Sequence, residues 1–366
     1  MVQPQYKRIN KMKDGINYLD LFSGIGGFAL GLQKAGVKIN NHFFSEIEPH
    51  AIKLYEKHFP KAKGLGDVTT IESFSEIGDI DLITFGFPCQ DLSTAGKGKG
   101  FDGTRSVLFY AATQIIRQTR PTYFVFENVK GLLTNDNGRT FEKVLQEIAD
   151  IGFYDCEWQL VNTKWFLPQN RERIYFIGHL RGGSCPKVFP ITEDSLKNPG
   201  IQRQYSNTLT TRYKDTVGTY VAESKFVQQT KRNSQGYRVN STSKHSVCLT
   251  SASGGMGAKT GLYAVRAVLT PDRVNKRQNG RRFKEVGEPA FTLTTQDQHG
   301  IILGNPNDTQ GFAIRKLTPL ECERLQGFPD NWTDGFSDNQ RYKMLGNAVS
   351  VPIPEYIFNR LYNEQD

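Results

Sequence analysis

The chain has 366 residues, of which 37% are hydrophobic and 23% charged, and a formal charge of +9; at roughly 100–200 residues per domain this is room for two domains. No run approaches the roughly 18 consecutive apolar residues of a membrane span, and the opening MVQPQYKRINKMKDG lacks a signal-peptide apolar stretch, so a soluble, cytoplasmic protein is expected. Five widely spaced cysteines (Cys89, Cys156, Cys185, Cys248, Cys322) with no C-x-x-C pair, and six histidines with no H-E-x-x-H, point to neither a disulfide framework nor a metal site.

Residues 16–180 repeat an apolar run, a turn and an amphipathic stretch. INYLDLFS (16–23), NHFFSEI (41–47), DLITFGF (81–87), TYFVFENV (122–129), CEWQLVN (156–162) and RIYFIGHL (173–180) are β-rich, whereas EPHAIKLYEKHF (48–59) and GRTFEKVLQEIADIG (138–152) carry helical periodicity. The alternation predicts an α/β fold with a doubly wound, mainly parallel sheet covered on both faces, and binding sites at the carboxyl ends of its strands.

From about residue 185 the texture changes to Gly, Thr, Ser, Asn and Arg with short β-like pieces. Of the 46 Lys and Arg, 19 fall in residues 181–310 against 9 of the 37 Asp and Glu, which leaves 27 against 28 elsewhere. Such a segment suits a surface that follows phosphates, although a solvated basic face would have the same composition. Residues 206–218, 246–261 and 290–300 form a degenerate repeat around Leu209, Leu249 and Leu293, compatible with a recurring hairpin or a repeated nucleic-acid-contacting edge. The expected organisation is a domain of residues 1–184, a β-rich domain of 185–325 and a segment of 326–366 that packs back on the first domain.

Two stretches carry candidate chemistry. In DLFSGIGGFALGL (20–32), Gly24, Gly26 and Ala29 fit G-x-G-x-x-A after a strand, and Glu46 follows Gly26 by about 20 residues, where an acid can hold ribose hydroxyls. The pattern suits a nicotinamide dinucleotide as well as S-adenosylmethionine. Asp67 in GLGDVTTI could meet an adenine amino group or cap a helix. In FGFPCQDLSTAGKGKGFDGTR (85–105) a single thiol, Cys89, stands before a glycine-rich basic loop. A nucleophilic thiolate needs an acid and cations near its substrate; Glu127, at the end of TYFVFENV, and Arg171 and Arg173, in QNRERIYFIG, are the candidates, each with a salt-bridge or capping role as its alternative.

The ordered blocks DLFSGIGGF, FSEIEPHA, GDVT, GFPCQDLS, ENVKGL, QNRERIYFIG, RKLTPLECERLQGFPD (315–330) and MLGNAVSVPI (344–353) resemble the 5-cytosine DNA methyltransferases of bacterial and phage restriction–modification systems across nearly the whole chain. The resemblance implies the S-adenosylmethionine-dependent methyltransferase fold, with residues 185–325 as a target-recognition domain; within it, the glycine-rich turn 253–261 and the turn 296–300 are our expectation for the parts that approach DNA. It implies Cys89 as the nucleophile toward C6 of cytosine, Glu127 as the acid at N3, Arg173 at the O2 side of the base, and Arg171 at phosphate. Phe22, Gly24, Gly26, Glu46, Ile47, Asp67, Val68, Leu108, Asn347 and Val349 match the cofactor pocket; Gln90, Ser93, Lys97 and Arg105 match DNA-contacting positions. S-adenosylmethionine without a metal is the implied cofactor, S-adenosylhomocysteine the product, and double-stranded DNA the partner. A separately acting restriction endonuclease and a monomeric state are also expected. An oxidoreductase using a dinucleotide, a transfer-RNA methyltransferase of the same family and a non-catalytic DNA-binding relative are the competing readings.

Overall fold

A computed structural model describes residues 15–71, 77–87, 106–182, 186–192, 239–240, 262–263, 266–269, 281–285, 288–295, 299–303 and 313–363. The chain divides into two compact units: Met1–Asn162, Glu172–Ser195 and Ala348–Asp366 form one, and Thr163–Arg171 and Leu196–Asn347 the other.

The first unit begins with β1 (Ile16–Leu21), α1 (Gly27–Lys34), β2 (Ile39–Ser45), α2 (Pro49–His58) and the short β3 (Lys63–Gly64). It continues with β4 (Leu82–Phe85), α3 (Ser106–Thr119), β5 (Tyr123–Val129), α4 (Arg139–Ile151), β6 (Tyr154–Asn162) and β7 (Glu172–Leu180). The seven strands lie in the order β3-β2-β1-β4-β5-β7-β6. Pairings from β3 through β5 are parallel, while β7 runs antiparallel to both β5 and β6. The strand order therefore runs outward from β1 to either side, which leaves a crevice at the carboxyl ends of β1 and β4.

Strand alternation divides the core. Leu19, Leu21, Ile83, Phe85, Phe124, Phe126, Ile174 and Phe176 share one cluster with Phe109, Ile115 and Ile116 of α3 and Val144 and Ile148 of α4. Within it Phe85 stacks on Phe126 at 4.7 Å and Phe126 on Phe176 at 4.3 Å, across paired positions of β4, β5 and β7. Each such pair contributes about 0.5–1.5 kcal/mol beyond the area it buries, so the three strands whose ends carry the candidate residues are locked side by side.

In the second unit, β8 (Val239–Asn240) pairs in parallel with β9 (Leu262–Tyr263). β10 (Arg266–Leu269), β11 (His299–Leu303) and β12 (Ala313–Lys316) form an antiparallel sheet in that order. Helix α5 (Pro319–Gln326) is delimited by a Thr318–Glu321 capping box and left-handed Gly327, and α6 (Asp338–Asn347) follows. Of the three repeat segments, 206–218 and 246–261, with the turn 253–261, lie outside the described residues. In the third, Ala290 makes a parallel bridge to Gln169 and Leu293 is buried; of its turn 296–300, residues 296–298 lie outside the described residues and 299–300 open β11.

The chain closes with α7 (Pro352–Tyr362), which packs on α1 within the first unit. The Tyr362 ring meets Tyr123 of β5 edge-on at 5.7 Å, and Asn363 Nδ2 donates to Ala35 O. Helices thus cover both faces of the seven-stranded sheet.

Candidate active site

The turn between β1 and α1 carries three left-handed residues, Phe22 (φ 51°), Gly24 (φ 53°) and Gly26 (φ 82°). A Cβ on Gly26 would come within 2.5 Å of the Phe59 ring and 3.3 Å of the Tyr55 ring, so only glycine fits both the dihedral and the space. At Gly24 nothing lies within 4 Å of the Cβ position. One face of the turn is packed on α2 and the other is left approachable by a ligand.

Glu46, just past β2, fixes the turn from its neighbour strand. Its Oε2 accepts from Gly24 N at 2.8 Å, while Oε1 accepts from Ile47 N at 2.8 Å and Glu48 N at 2.9 Å. Ile47 beside it is 70% exposed, an isolated apolar side chain next to a carboxylate. Asp67 caps the single 3₁₀ turn Val68–Thr70, with Oδ1 accepting from Thr69 N and Thr69 Oγ1. Val68 is buried, and Leu108 packs against the main core cluster. Val349 is drawn to the start of α1: a Cβ on Gly27 would lie 2.9 Å from Val349 O. Asn347 ends α6 in the second unit, where it is exposed.

A second group gathers where β4 and β5 end and β7 begins. Glu127, near the carboxyl end of β5, meets Arg173 at the start of β7, with Nε 2.8 Å from Oε1. Both side chains are largely buried, 11% and 16% exposed. The antiparallel register pairs Val129 with Arg173 and Glu127 with Tyr175, so strand direction itself brings the acid and the cation together. Glu127 Oε2 faces Gly86, where a Cβ would lie 3.5 Å away. Asn128 supports the same corner: its Nδ2 donates to Phe87 O at 3.3 Å and its Oδ1 accepts from Val129 N.

Cys89, Gln90, Ser93, Lys97 and Arg105 lie outside the described residues; the chain reaches Phe87, two residues before Cys89, beside Asn128 and Glu127. Arg171 and Arg173, two residues apart and expected from that spacing to point the same way if both lay in the strand, instead fall on either side of the start of β7 at Glu172. Arg171 belongs to the second unit, is 3% exposed, and donates from Nη1 to Leu293 O at 3.0 Å and Gly346 O at 3.4 Å. Asn128, Tyr55 and Phe59 are the supporting residues that motif spacing did not single out. For Asn128 a polar side chain beside the acid of ENV was the available signal, and for the two aromatics the helical i, i+4 spacing was.

Among the described residues no group of His, Cys, Asp and Glu could hold a metal ion, and no helix is long and apolar enough to cross a membrane.

Comparison with known proteins gives the geometry its context. A family model described as C-5 cytosine-specific DNA methylase matches residues 16–363. Orphan methyltransferase M.SPRI of Bacillus phage SPR is 32% identical, over 94% of this chain and 97% of that protein. Type II methyltransferase M.HpaII of Haemophilus parainfluenzae is 35% identical, over 93% and 87%. Among solved structures, the Entamoeba histolytica methyltransferase EhMeth is similar at a TM-score of 0.58 and 18% identity, over 96% of this chain and 98% of that one. The S. pombe Dnmt2 methyltransferase is similar at 0.54 and 19%, over 93% and 96%. These two likenesses bear on the fold, which is that of the methyltransferases: a mostly parallel seven-stranded sheet clad in helices.

Proposed function

The chain belongs to the C-5 cytosine-specific DNA methylase family and is a DNA cytosine methyltransferase; from that premise we propose that it methylates C5 of a flipped-out cytosine through a Cys89–C6 adduct, with S-adenosylmethionine as donor. The observation that carries the reading is the Glu127–Arg173 pair at 2.8 Å, set at the strand ends beside Gly86, three residues before Cys89.

C5 of cytosine is a poor nucleophile. Addition of the Cys89 thiolate at C6, with a proton passing from the Glu127 carboxyl to N3, makes an enamine whose C5 is electron-rich, and two easier steps replace one hard step. Arg173 orients Glu127 through Nε and reaches the O2 side of the base. Loss of the C5 proton, return of the N3 proton to Glu127 and expulsion of Cys89 restore aromaticity. Because C6 lies in the base stack, the target must leave it at a cost of a few kcal/mol. Gln90, Ser93, Lys97 and Arg105 would then meet the DNA around the flipped nucleotide.

The glycine turn suits S-adenosylmethionine. Gly24 leaves its Cβ side open, Glu46 is braced by three backbone N–H groups to accept ribose hydroxyls, and Ile47 offers an apolar surface to an adenine ring. Phe22, Asp67, Val68, Leu108 and Val349 complete the proposed pocket in the first unit, and Asn347 is a further cofactor position that the family resemblance implies. Bound there, the cofactor would supply an electrophilic sulfonium methyl group, and no metal is involved. Residues 185–325, rich in Lys and Arg, serve target recognition on duplex DNA. The activity protects DNA from a separately acting restriction endonuclease, and the enzyme acts as a cytoplasmic monomer.

The test is covalent trapping on duplex DNA containing 5-fluorocytosine, in which the C5 substituent cannot leave as a proton. Wild-type protein with S-adenosylmethionine should give a complex stable to denaturant, and Cys89→Ala should bind the same DNA without forming it. Trapping that persists in Cys89→Ala would overturn the mechanism.

A further inference from the structure

Beneath the glycine turn runs a chain of buried side-chain hydrogen bonds that the proposed chemistry does not use. Asp20, fully buried in β1 two residues before Phe22, accepts from Thr84 Oγ1 of β4 at 2.7 Å and from Tyr55 OH of α2 at 3.0 Å. Tyr18 OH lies 2.6 Å from Thr84 Oγ1, and His42 Nε2 of β2 lies 2.8 Å from Tyr55 OH. The Tyr55 ring stacks on Phe44 at 4.4 Å and, with Phe59, forms the wall against which Gly26 rests. His42 in turn lines a surface cleft of about 430 Å³ shared with Asn40, Asn41, Phe59, Lys61 and Lys63.

The chain can hold its protons in two ways without moving a heavy atom. With Asp20 ionised, Tyr55 and Thr84 both donate to the carboxylate and His42 Nε2–H donates to Tyr55 O. With Asp20 protonated, its O–H donates to Tyr55 O and Tyr55 O–H donates to a bare His42 Nε2. Burial holds the His42 imidazole neutral by lowering its pKa to about 4, so it can accept in the second arrangement. Facing Asp20 are Tyr18 from its own strand, Thr84 from β4, Tyr55 from α2, and Glu46 beyond β2, whose charge opposes ionisation. Desolvation is the largest effect and outweighs the three hydroxyls, raising the Asp20 carboxyl to about 7.

We propose that Asp20 is a positioning residue that couples cofactor binding to proton release: a cationic sulfonium ligand arriving at the Gly24–Gly26 turn drives Asp20 into its ionised form, which clamps Tyr55 against the turn. The proton leaves along the chain. Asp20 gives its proton to Tyr55 O as Tyr55 passes its own to His42 Nε2, and the ring gives up the proton on Nδ1 to solvent in the cleft; His42 ends neutral and the ligand undergoes no reaction. The inference rests on the reading that the turn binds S-adenosylmethionine.

Calorimetric titration of the full chain in buffers of differing ionisation enthalpy counts the protons exchanged. At pH 7 the wild type should release up to about half a proton with S-adenosylmethionine, and less with S-adenosylhomocysteine, which lacks the sulfonium charge. Asp20→Asn should abolish the release. Thr84→Val, which removes one donor from the carboxylate and leaves the Tyr55–His42 route intact, should extend the release to higher pH. Binding of S-adenosylmethionine with no buffer dependence of its heat overturns the proposal, as does release unchanged in Asp20→Asn or unshifted in Thr84→Val; the latter variant decides if the former does not fold. Failure of the wild type to bind either ligand between pH 6 and 8 would sink the cofactor reading, and this inference with it.

Discussion

Two glycines in one turn separate what the fold requires from what a ligand requires. Alanine at Gly24 meets no atom within 4 Å, and its cost is the left-handed backbone at φ 53°, about 1–2 kcal/mol. Alanine at Gly26 has the same backbone penalty and also drives a Cβ to 2.5 Å from Phe59 Cε2. Overpacking of that kind adds about 1–3 kcal/mol, for a total of about 2–5 kcal/mol. Urea unfolding should therefore rank Gly26→Ala clearly below Gly24→Ala in stability. Equilibrium dialysis with S-adenosylmethionine should show Gly24→Ala weakened by more than about tenfold, which corresponds to 1.4 kcal/mol, because its methyl group projects to the open side proposed for cofactor approach. Wild-type cofactor affinity in Gly24→Ala would refute the placement of the cofactor. Equal stability of the two variants would refute the packing of Phe59 and Tyr55 against the turn.

Glu127→Gln should slow methylation by about 10²–10⁴-fold with DNA affinity retained, since an amide gives N3 no proton; single-turnover rates test this. Arg173→Lys, which keeps the charge but loses the planar Nε contact to Glu127, should also lower the single-turnover rate, and an unchanged rate would make that contact incidental. Truncation of Phe126→Ala in the ring stack should cost about 3–5 kcal/mol in denaturant unfolding, with a small loss pointing to a core that collapses around the gap. Burial raises the Asp20 carboxyl to about 7 in the folded chain, from an ordinary 3.8, so its contribution is fully present below pH 4 and is lost as pH rises to 7. The stability of wild type relative to Asp20→Asn should fall across that window by up to about 4 kcal/mol, and a difference independent of pH would mean that Asp20 does not titrate there.

Much of the first unit was legible because its signals are local. The helix expected over 48–59 appears as Pro49–His58, with Pro49 at its first position, and that over 138–152 as Arg139–Ile151, ended by left-handed Gly152. Strand alternation likewise foretold a sheet covered on both faces. Neighbour choice was not legible, because hydrophobic period carries no information on which strands pair. Neither the order β3-β2-β1-β4-β5-β7-β6 nor the two-residue β3, whose Lys63 and Gly64 are both exposed, has any periodic signature. The same limit applies to Asp20, an acid inside an apolar run whose partners Tyr55 and Thr84 stand 35 and 64 residues away.

The direction of β7 has the largest chemical consequence of the features that periodicity does not encode. Parallel strands present their carboxyl ends together, so a seventh strand of the common sense would place Arg173, near its amino end, at the sheet edge opposite Glu127, which lies five residues into the seven-residue β5. At about 3.3 Å per residue, three residues of parallel offset would put some 10 Å between their backbone positions. Reversal converts that separation into the observed 2.8 Å contact. The antiparallel strand is thus what allows an acid from one strand end and a cation from a strand beginning to meet beside Gly86, and a sequence block containing the arginine is useful there only on a strand that runs backwards.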